Sequence, residues 1–373
     1  MKHLLPILFS LCLLLAFTSF AEEKLKLPDD PAEACSQAKA LLEKCEGSEE
    51  ENIEKSKDFQ QALTLLRHAV SLGDPDAMFT LAYLTQEGIG VKKDTPAAVK
   101  LLESAAQKGH GGSMMNLGSY WSDPAHKDDA KAAGYFRTAM ERGIPGAGLR
   151  FGALCYAGRG VERDVVRAAA AFSSDAIKGD SMAQNLYGVM LFTGEGTGKN
   201  PAEAVEWFSK SAKQGFAPAL NNLGVLARLS NSKEGVEEAF RLFTRSAEKG
   251  YAPARRNLAQ MYIDGAGTAV DYKKARELAE AAAAQGDASA YQMLGMMEML
   301  AIGTERNPEK AAGYYLKSAE KGYAPACLQL SEMYRNGIGV AKDEKAADLW
   351  LKKASEPKKR PMEALTAGDS QKK

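Results

Sequence analysis

Glycine recurs along this chain at a nearly constant spacing: Gly73, Gly109, Gly143, Gly179, Gly215, Gly250, Gly286 and Gly322, in steps of 36, 34, 36, 36, 35, 36 and 36 residues. A period of this length marks a solenoid of stacked units, because one such unit cannot bury its apolar face alone. Nine residues, SAEKGYAPA, stand at 246–254 and again at 318–326, two periods apart. In both copies the glycine ends one helix and the proline opens the next, so the phrase encodes a joint between units rather than a duplicated active site.

The stretch from Ala254 shows what lies between joints. Ala254, Leu258, Met261 and Tyr262 fall on one face of a helix, DGAGT breaks it, and Asp271 caps a second helix with a stripe of Ala275, Leu278, Ala279 and Ala282. Second helices elsewhere open with Thr95-Pro96, Asn200-Pro201 and Asn307-Pro308. Superimposing the units gives one first-helix column that is always large and apolar: Leu81, Leu117, Phe151, Tyr187, Leu223, Leu258, Leu294 and Leu330. The next column is always small: Ala82, Gly118, Gly152, Gly188, Gly224, Ala259, Gly295 and Ser331. Glycine inside a helix costs about 1 kcal/mol relative to alanine, so five glycines in that column imply close approach of a neighbouring helix.

The Gly-x-Gly elements at 88–90, 158–160, 194–196 and 337–339 are flanked by helices on both sides. A phosphate-cradling glycine loop follows a strand, so these elements read as punctuation, and no nucleotide or other cofactor is expected.

Residues 1–21 run from a basic start (Lys2, His3) through an apolar stretch, Leu4 to Phe17, to small residues Ser19 and Ala21. That order predicts a signal peptide cleaved before Glu22, bacterial export, and a periplasmic or secreted destination with no membrane span after cleavage. Removing Lys2 leaves 47 basic residues against 48 acidic ones, which argues against nucleic acid as a partner. None of the ten asparagines lies in an N-x-[ST] acceptor. Four cysteines remain. Cys35 and Cys45 lie ten residues apart on one predicted helix, about 15 Å at 1.5 Å per residue, beyond the ~7 Å reach of a disulfide. Buried free thiols are expected.

NLGVLA, GIGVAKDEKAADLWLKKA and GYAPA together resemble Sel1-like repeats, relatives of tetratricopeptide repeats. The resemblance implies an all-α fold, a right-handed superhelical solenoid of about eight helix-turn-helix repeats. It covers Ala77 to about Ala354, giving a signal peptide over 1–21, N-terminal capping helices and a partial repeat with an acidic insert over 22–76, the solenoid over 77–354 and a polar disordered tail over 355–373. Two connections depart from the pattern: YWSDPAHKDDA at 120–130 and ARLSNSKEGVEEA at 227–239 lack the glycine pair and are expected to bend differently.

The family mostly holds other proteins or peptides on a concave face, and the resemblance implies a protein–protein interaction scaffold of that kind, with a protein or peptide partner. A first-helix column that reads as facing away from the core changes chemistry along the chain: Phe79, Met115, Leu149, Asn185, Asn221, Arg256, Gln292 and Leu328. Within this face Asn116, Asn222 and Asn257 are placed either to grip a peptide backbone, as asparagines do in related repeats, or to cap backbone groups between repeats. Asn221, Arg228, Arg256 and Gln260 are the expected solvent-facing contacts. Two alternatives stand beside this one. A cysteine-rich bacterial branch of the family is linked to β-lactam binding and hydrolysis, and S-x-x-K, the nucleophile spacing of that chemistry, occurs at Ser246–Lys249 and Ser318–Lys321. No S-D-N or K-T-G follows, so no catalytic residues are assigned. The other alternative is a structural role in envelope assembly. His110 and His126 are expected to be solvated loop residues, and no spacing among these and His68 suggests a metal.

Overall fold

The computed structural model describes residues 25–46, 53–230 and 232–356; the leader, part of the acidic insert and nearly all of the tail lie outside the described residues. Among the described residues the protein is all α-helix and turn, without strands. It forms two compact units that divide between Ser122 and Asp123. The division falls inside the first of the two connections that lack the glycine pair.

The first unit contains α1 (Pro31–Glu46), a 3-10 turn (Ile53–Lys55), α2 (Lys57–Ser71), α3 (Pro75–Glu87), α4 (Thr95–Gln107) and α5 (Gly111–Ser122). The second contains α6 (Asp129–Glu141), α7 (Ala147–Ala157), α8 (Val165–Ile177), α9 (Ser181–Thr193), α10 (Pro201–Lys213), α11 (Ala217–Leu229) and α12 (Lys233–Glu248). It continues through α13 (Ala252–Asp264), α14 (Tyr272–Ala284), α15 (Ala288–Met299), α16 (Pro308–Glu320), α17 (Ala324–Asn336) and α18 (Glu344–Ser355). From α3 onward, odd-numbered helices are the first helices of their repeats and even-numbered helices the second. Asp or Asn side chains cap second helices as the sequence predicts: Asn200 Oδ1 accepts from the Glu203 amide at 3.2 Å, and Asp271 Oδ1 from the Lys274 amide at 3.0 Å.

The small column is buried throughout, and its reason is visible. A Cβ on Gly152 would lie 2.7 Å from the Phe172 ring, on Gly188 2.8 Å from Phe208, on Gly224 2.7 Å from Phe243 and on Gly295 2.7 Å from Tyr315. Each glycine therefore receives an aromatic ring from the second helix of its own repeat. Repeat six carries Ala259 and, at the aromatic register, Ala279; both are fully buried. There alanine faces alanine, so neither helix brings a ring to the crossing.

The paired glycines have separate tasks, as the connection after α9 shows. Gly194 ends the helix in the left-handed region at φ 79°. Gly196 brings the loop against the preceding repeat, where a Cβ would lie 2.1 Å from the Val165 carbonyl oxygen. Where the pair is missing, at 227–232, Ser230 Oγ donates to the Ala227 carbonyl at 2.7 Å and Ser232 Oγ accepts from the Gly235 amide at 3.0 Å. That shorter connection lets α12 start early and reach 16 residues. At 123–128, Asp123 Oδ1 instead accepts from the Ala125 amide at 2.8 Å.

All four described cysteines are buried free thiols. No helix among the described residues is long and apolar enough to cross a membrane.

Candidate binding face

The candidate face lies on α9, α11 and α13, and its side chains are more buried than the sequence suggests. Asn185 and Asn221 are only 3% and 7% exposed. Asn222 Nδ2 donates to Asn185 Oδ1 at 2.9 Å, and Asn257 Nδ2 donates to Asn221 Oδ1 at 2.9 Å. The expectation that Asn221 faces solvent is therefore corrected. Its column sits under the first helix of the following repeat, and a buried amide there must find a partner. The asparagines bridge repeats side chain to side chain instead of capping backbone groups. Asn116, on α5 of the first unit, is exposed and forms no such pair with its neighbours in the described structure.

Arg256 is half-buried and points its Nε toward Asp287 Oδ2 at 3.6 Å. Asp287 in turn caps α15, accepting from the Ala290 amide at 2.9 Å. Arg256 is thus tied to the next repeat, and its expected role as a solvent-facing contact is corrected on the same ground. Arg228 and Gln260 do reach the surface, where both bind Asp264: Arg228 Nη2 to Oδ2 at 3.2 Å, Gln260 Nε2 to Oδ1 at 2.7 Å. Asp264 was not singled out by the sequence, although its place at the end of α13 lies one repeat from Arg228.

The two S-x-x-K serines are sealed. Ser246 and Ser318 have no exposed surface. Their hydroxyls donate to the Ala217 and Ala288 carbonyls at 2.7 and 2.6 Å, and Ser211 does the same to the Ser181 carbonyl at 2.6 Å. A serine at this register therefore fastens a second helix to the first turn of its own repeat. The lysines run elsewhere: a Cβ on Gly215 would lie 3.1 Å from Lys249 Nζ, and one on Gly286 3.4 Å from Lys321 Nζ. Each lysine reaches back over the preceding joint.

A serine–histidine–aspartate set that sequence reading missed occurs in the first unit. His110 Nδ1 lies 2.9 Å from Ser113 Oγ, and Nε2 lies 3.4 Å from Asp76 Oδ1. The backbone amide of Ser113 also donates to Nδ1 at 3.1 Å, so the neutral ring carries its proton on Nε2, facing Asp76. This is a helix cap. Ser113 occupies the register of Ala77, Ala147, Ala183, Ala219, Ala254, Ala290 and Ala326, all with no exposed surface, and a substrate carbonyl has no route to its hydroxyl. His110 is half-buried against the Phe79 ring at 4.8 Å between centroids. His68 Nε2 lies 2.8 Å from the Pro28 carbonyl. The expectation of solvated loop histidines holds in burial terms for His126, which is exposed, and not for His110.

Beside that cap a cavity of about 370 Å³ is lined by Cys35, Ser36, Lys39, Glu43, Asp74 and Asp76 among others. Lys39 Nζ binds Asp76 Oδ2 at 2.9 Å, and that pairing holds the Asp76 carboxyl below its ordinary range. Burial pushes the Cys35 thiol up to about 11, against the opposing pull of Lys39, which makes it a poor nucleophile at neutral pH. No group of three or more histidine, cysteine, aspartate or glutamate side chains among the described residues is arranged to hold a metal ion.

Comparison with known proteins agrees with this geometry. The Sel1 repeat family model matches residues 75–110, 112–144, 150–170, 181–216, 217–251, 252–287, 288–323 and 324–356. The chain belongs to the Sel1 repeat family. Among solved structures it is similar to c5321, a protective antigen present in uropathogenic Escherichia coli strains displaying an SLR fold, with 28% identity, a TM-score of 0.75, and coverage of 91% of this chain and 71% of that one. A Sel1 repeat protein from Oxalobacter formigenes matches at 25% identity and a TM-score of 0.42, over 88% of this chain and 83% of that one. The fold is a Sel1-repeat solenoid, an architecture commonly used as a protein-interaction scaffold.

Proposed function

We propose that this chain is an exported scaffold that holds an extended protein or peptide segment against the first helices of α9, α11 and α13. The observation that carries the reading is the pair of cross-repeat asparagine bonds. They set buried amides at 36–37-residue intervals, at a column where α5, α7 and α17 carry Met115, Leu149 and Leu328. Each bond uses one donor and one acceptor, and a carboxamide offers more of both. The free carbonyl side of Asn222 and Asn257, both half-buried, is suited to a backbone amide of a bound strand. Arg228, Gln260 and Asp264 form the polar rim beside it. The alternative hydrolytic reading is disfavoured by the buried, hydrogen-bonded state of Ser246 and Ser318. Export rests on the order of residues 1–21, which lie outside the described residues.

A pull-down from a periplasmic extract tests the binding face, comparing wild type with an Arg228→Ala/Asn257→Ala/Gln260→Ala variant. The variant is expected to lose the partner while its circular dichroism stays native. Equal retention by both removes the proposed face. A chromogenic β-lactam assay runs alongside, and turnover abolished by Ser246→Ala or Ser318→Ala overturns the scaffold reading. Fractionation of expressing cells checks export, which requires the mature chain to begin at Glu22.

A further inference from the structure

One register joins each second helix to the first helix of the following repeat in the second unit. On the second helices it reads Ala133, Ala169, Val205, Phe240, Arg276 and Ala312, and on the following first helices Cys155, Leu191, Ala227, Tyr262, Glu298 and Tyr334. Five of these six pairings are apolar. At the fourth, the Phe240 and Tyr262 rings meet edge to face at 5.6 Å. At the fifth, Arg276 Nη1 binds Glu298 Oε1 at 3.0 Å, with the Glu298 side chain only 4% exposed.

This ion pair is poorly satisfied. Arg276 Nη2 and Glu298 Oε2 are buried with no hydrogen-bond partner, and Glu280, a further carboxylate, stands 3.7 Å from Nη1. A buried pair with orphaned atoms is a weak source of stability compared with apolar side chains of similar size. Its use lies in discrimination.

We propose that Arg276 and Glu298 form a registry key, which fixes which second helix stacks on which first helix in a chain of near-interchangeable repeats. The need for one is written in the sequence. The joints at 246–254 and 318–326 are identical, and the glycine–aromatic crossings recur in repeats three, four, five and seven. The asparagine bonds do not discriminate either, since the same chemistry occurs at two successive interfaces. The ion pair lies midway between the identical joints and occurs at this register once. Stacking α14 on α17 would set Arg276 against Tyr334, and stacking α12 on α15 would set Glu298 against Phe240. Either slip buries a charge without its counter-ion, which costs far more than the native pair contributes.

The test removes the key by copying the preceding interface, in an Arg276→Phe/Glu298→Tyr variant, and restores it in a charge-reversed Arg276→Glu/Glu298→Arg variant. Each full-length protein is unfolded in urea, refolded by dilution at micromolar concentration, and sized by chromatography with light scattering. The Phe/Tyr variant is expected to melt no lower than wild type yet to leave a several-fold larger fraction in misassembled species, while the charge-reversed variant refolds as wild type does. Should the Phe/Tyr protein fail to fold, Arg276→Ala/Glu298→Tyr, which borrows the next interface, is read the same way. Wild-type refolding yield from the apolar variant overturns the proposal, as does misassembly of the charge-reversed variant to the same extent.

Discussion

The first helix α11 makes two contacts that are specified in opposite ways. Inside its own repeat it crosses α12, with Gly224 under the Phe243 ring; toward the next repeat it meets α13, with Asn221 bonded to Asn257. The crossing is a matter of volume, and the same solution recurs in repeats three, four, five and seven. The stacking contact is a matter of chemical identity: asparagine bonds hold two successive interfaces, and the buried Arg276–Glu298 pair holds the one after them. Volume tells the chain that its helices pair, and chemistry tells it which repeat comes next.

Overfilling the crossing breaks the comparison most directly. Gly224→Leu is expected to lose about 3 kcal/mol or more, since added side-chain atoms meet a ring in a packed core, whereas Arg256→Leu changes stability by about 1 kcal/mol or less. Urea denaturation of the two variants measures the gap, and equal midpoints refute the column assignment. Repeat six sharpens the point. Ala279→Phe alone should overpack against Ala259, and Ala259→Gly added to it should recover most of the loss. Without that rescue the two columns do not act as one unit of volume.

A buried group whose charged form is disfavoured is the counterpart to the bonded asparagines, and Cys35 supplies one. Burial is the main cause of its rise from 9.0 to about 11, with Asp74 and Asp76 adding to it and Lys39 opposing. A folded-state value raised above the unfolded one contributes stability that is complete below about pH 9 and is lost as pH climbs through about 11. The loss amounts to about 2–3 kcal/mol at 1.36 kcal/mol per unit. Urea midpoints of wild type and Cys35→Ala from pH 8 to 11 should therefore converge or cross as wild type falls faster. Parallel curves exclude the thiol as the cause.

The asparagine contact is weaker but more informative. Asn221→Ala and Asn257→Ala should each cost about 1–2 kcal/mol, because either leaves a partly buried amide unpaired. The double variant should cost less than the two together, by a coupling of about 0.5–1 kcal/mol. Strict additivity in the cycle means that the bond contributes nothing in solution.

These two contacts also explain what the sequence disclosed. Gly224 was legible because a glycine inside a helix is penalised and recurs for a reason; the period, the helix pairs and the small column all follow from such local costs. Asn221 was misread as outward-facing. Periodicity assigns a face within one helix, while burial of that column depends on the neighbouring repeat, whose distance and tilt are not local properties. Ser113 failed for the same reason in reverse: its alanine-column register marks it as sealed, yet no motif joins it to Asp76, 37 residues earlier. Arg276 and Glu298 look like ordinary surface charges until the helices are stacked.

The smallest effect concerns the glycine that ends five of the first helices. At Gly88, Gly158, Gly194, Gly265 and Gly337 the chain takes a positive φ, and at the same register repeat seven has Ala301, the one non-glycine residue with positive φ among the described residues, at 56°. An L-residue pays about 1–2 kcal/mol for that conformation, while glycine returns about 0.4–1 kcal/mol of that gain through its freer unfolded chain. Ala301→Gly should therefore stabilise the protein by about 1 kcal/mol or less. The matched change in repeat six, Gly265→Ala, should do the reverse and more, because its Cβ would also lie 2.9 Å from Val270 Cγ2. Urea unfolding of the two variants gives the comparison. Opposite signs are required if the helix-ending glycine is there for its backbone angle, and a pair of neutral changes would mean that the loop sets the angle at no cost and that glycine at this register is dispensable.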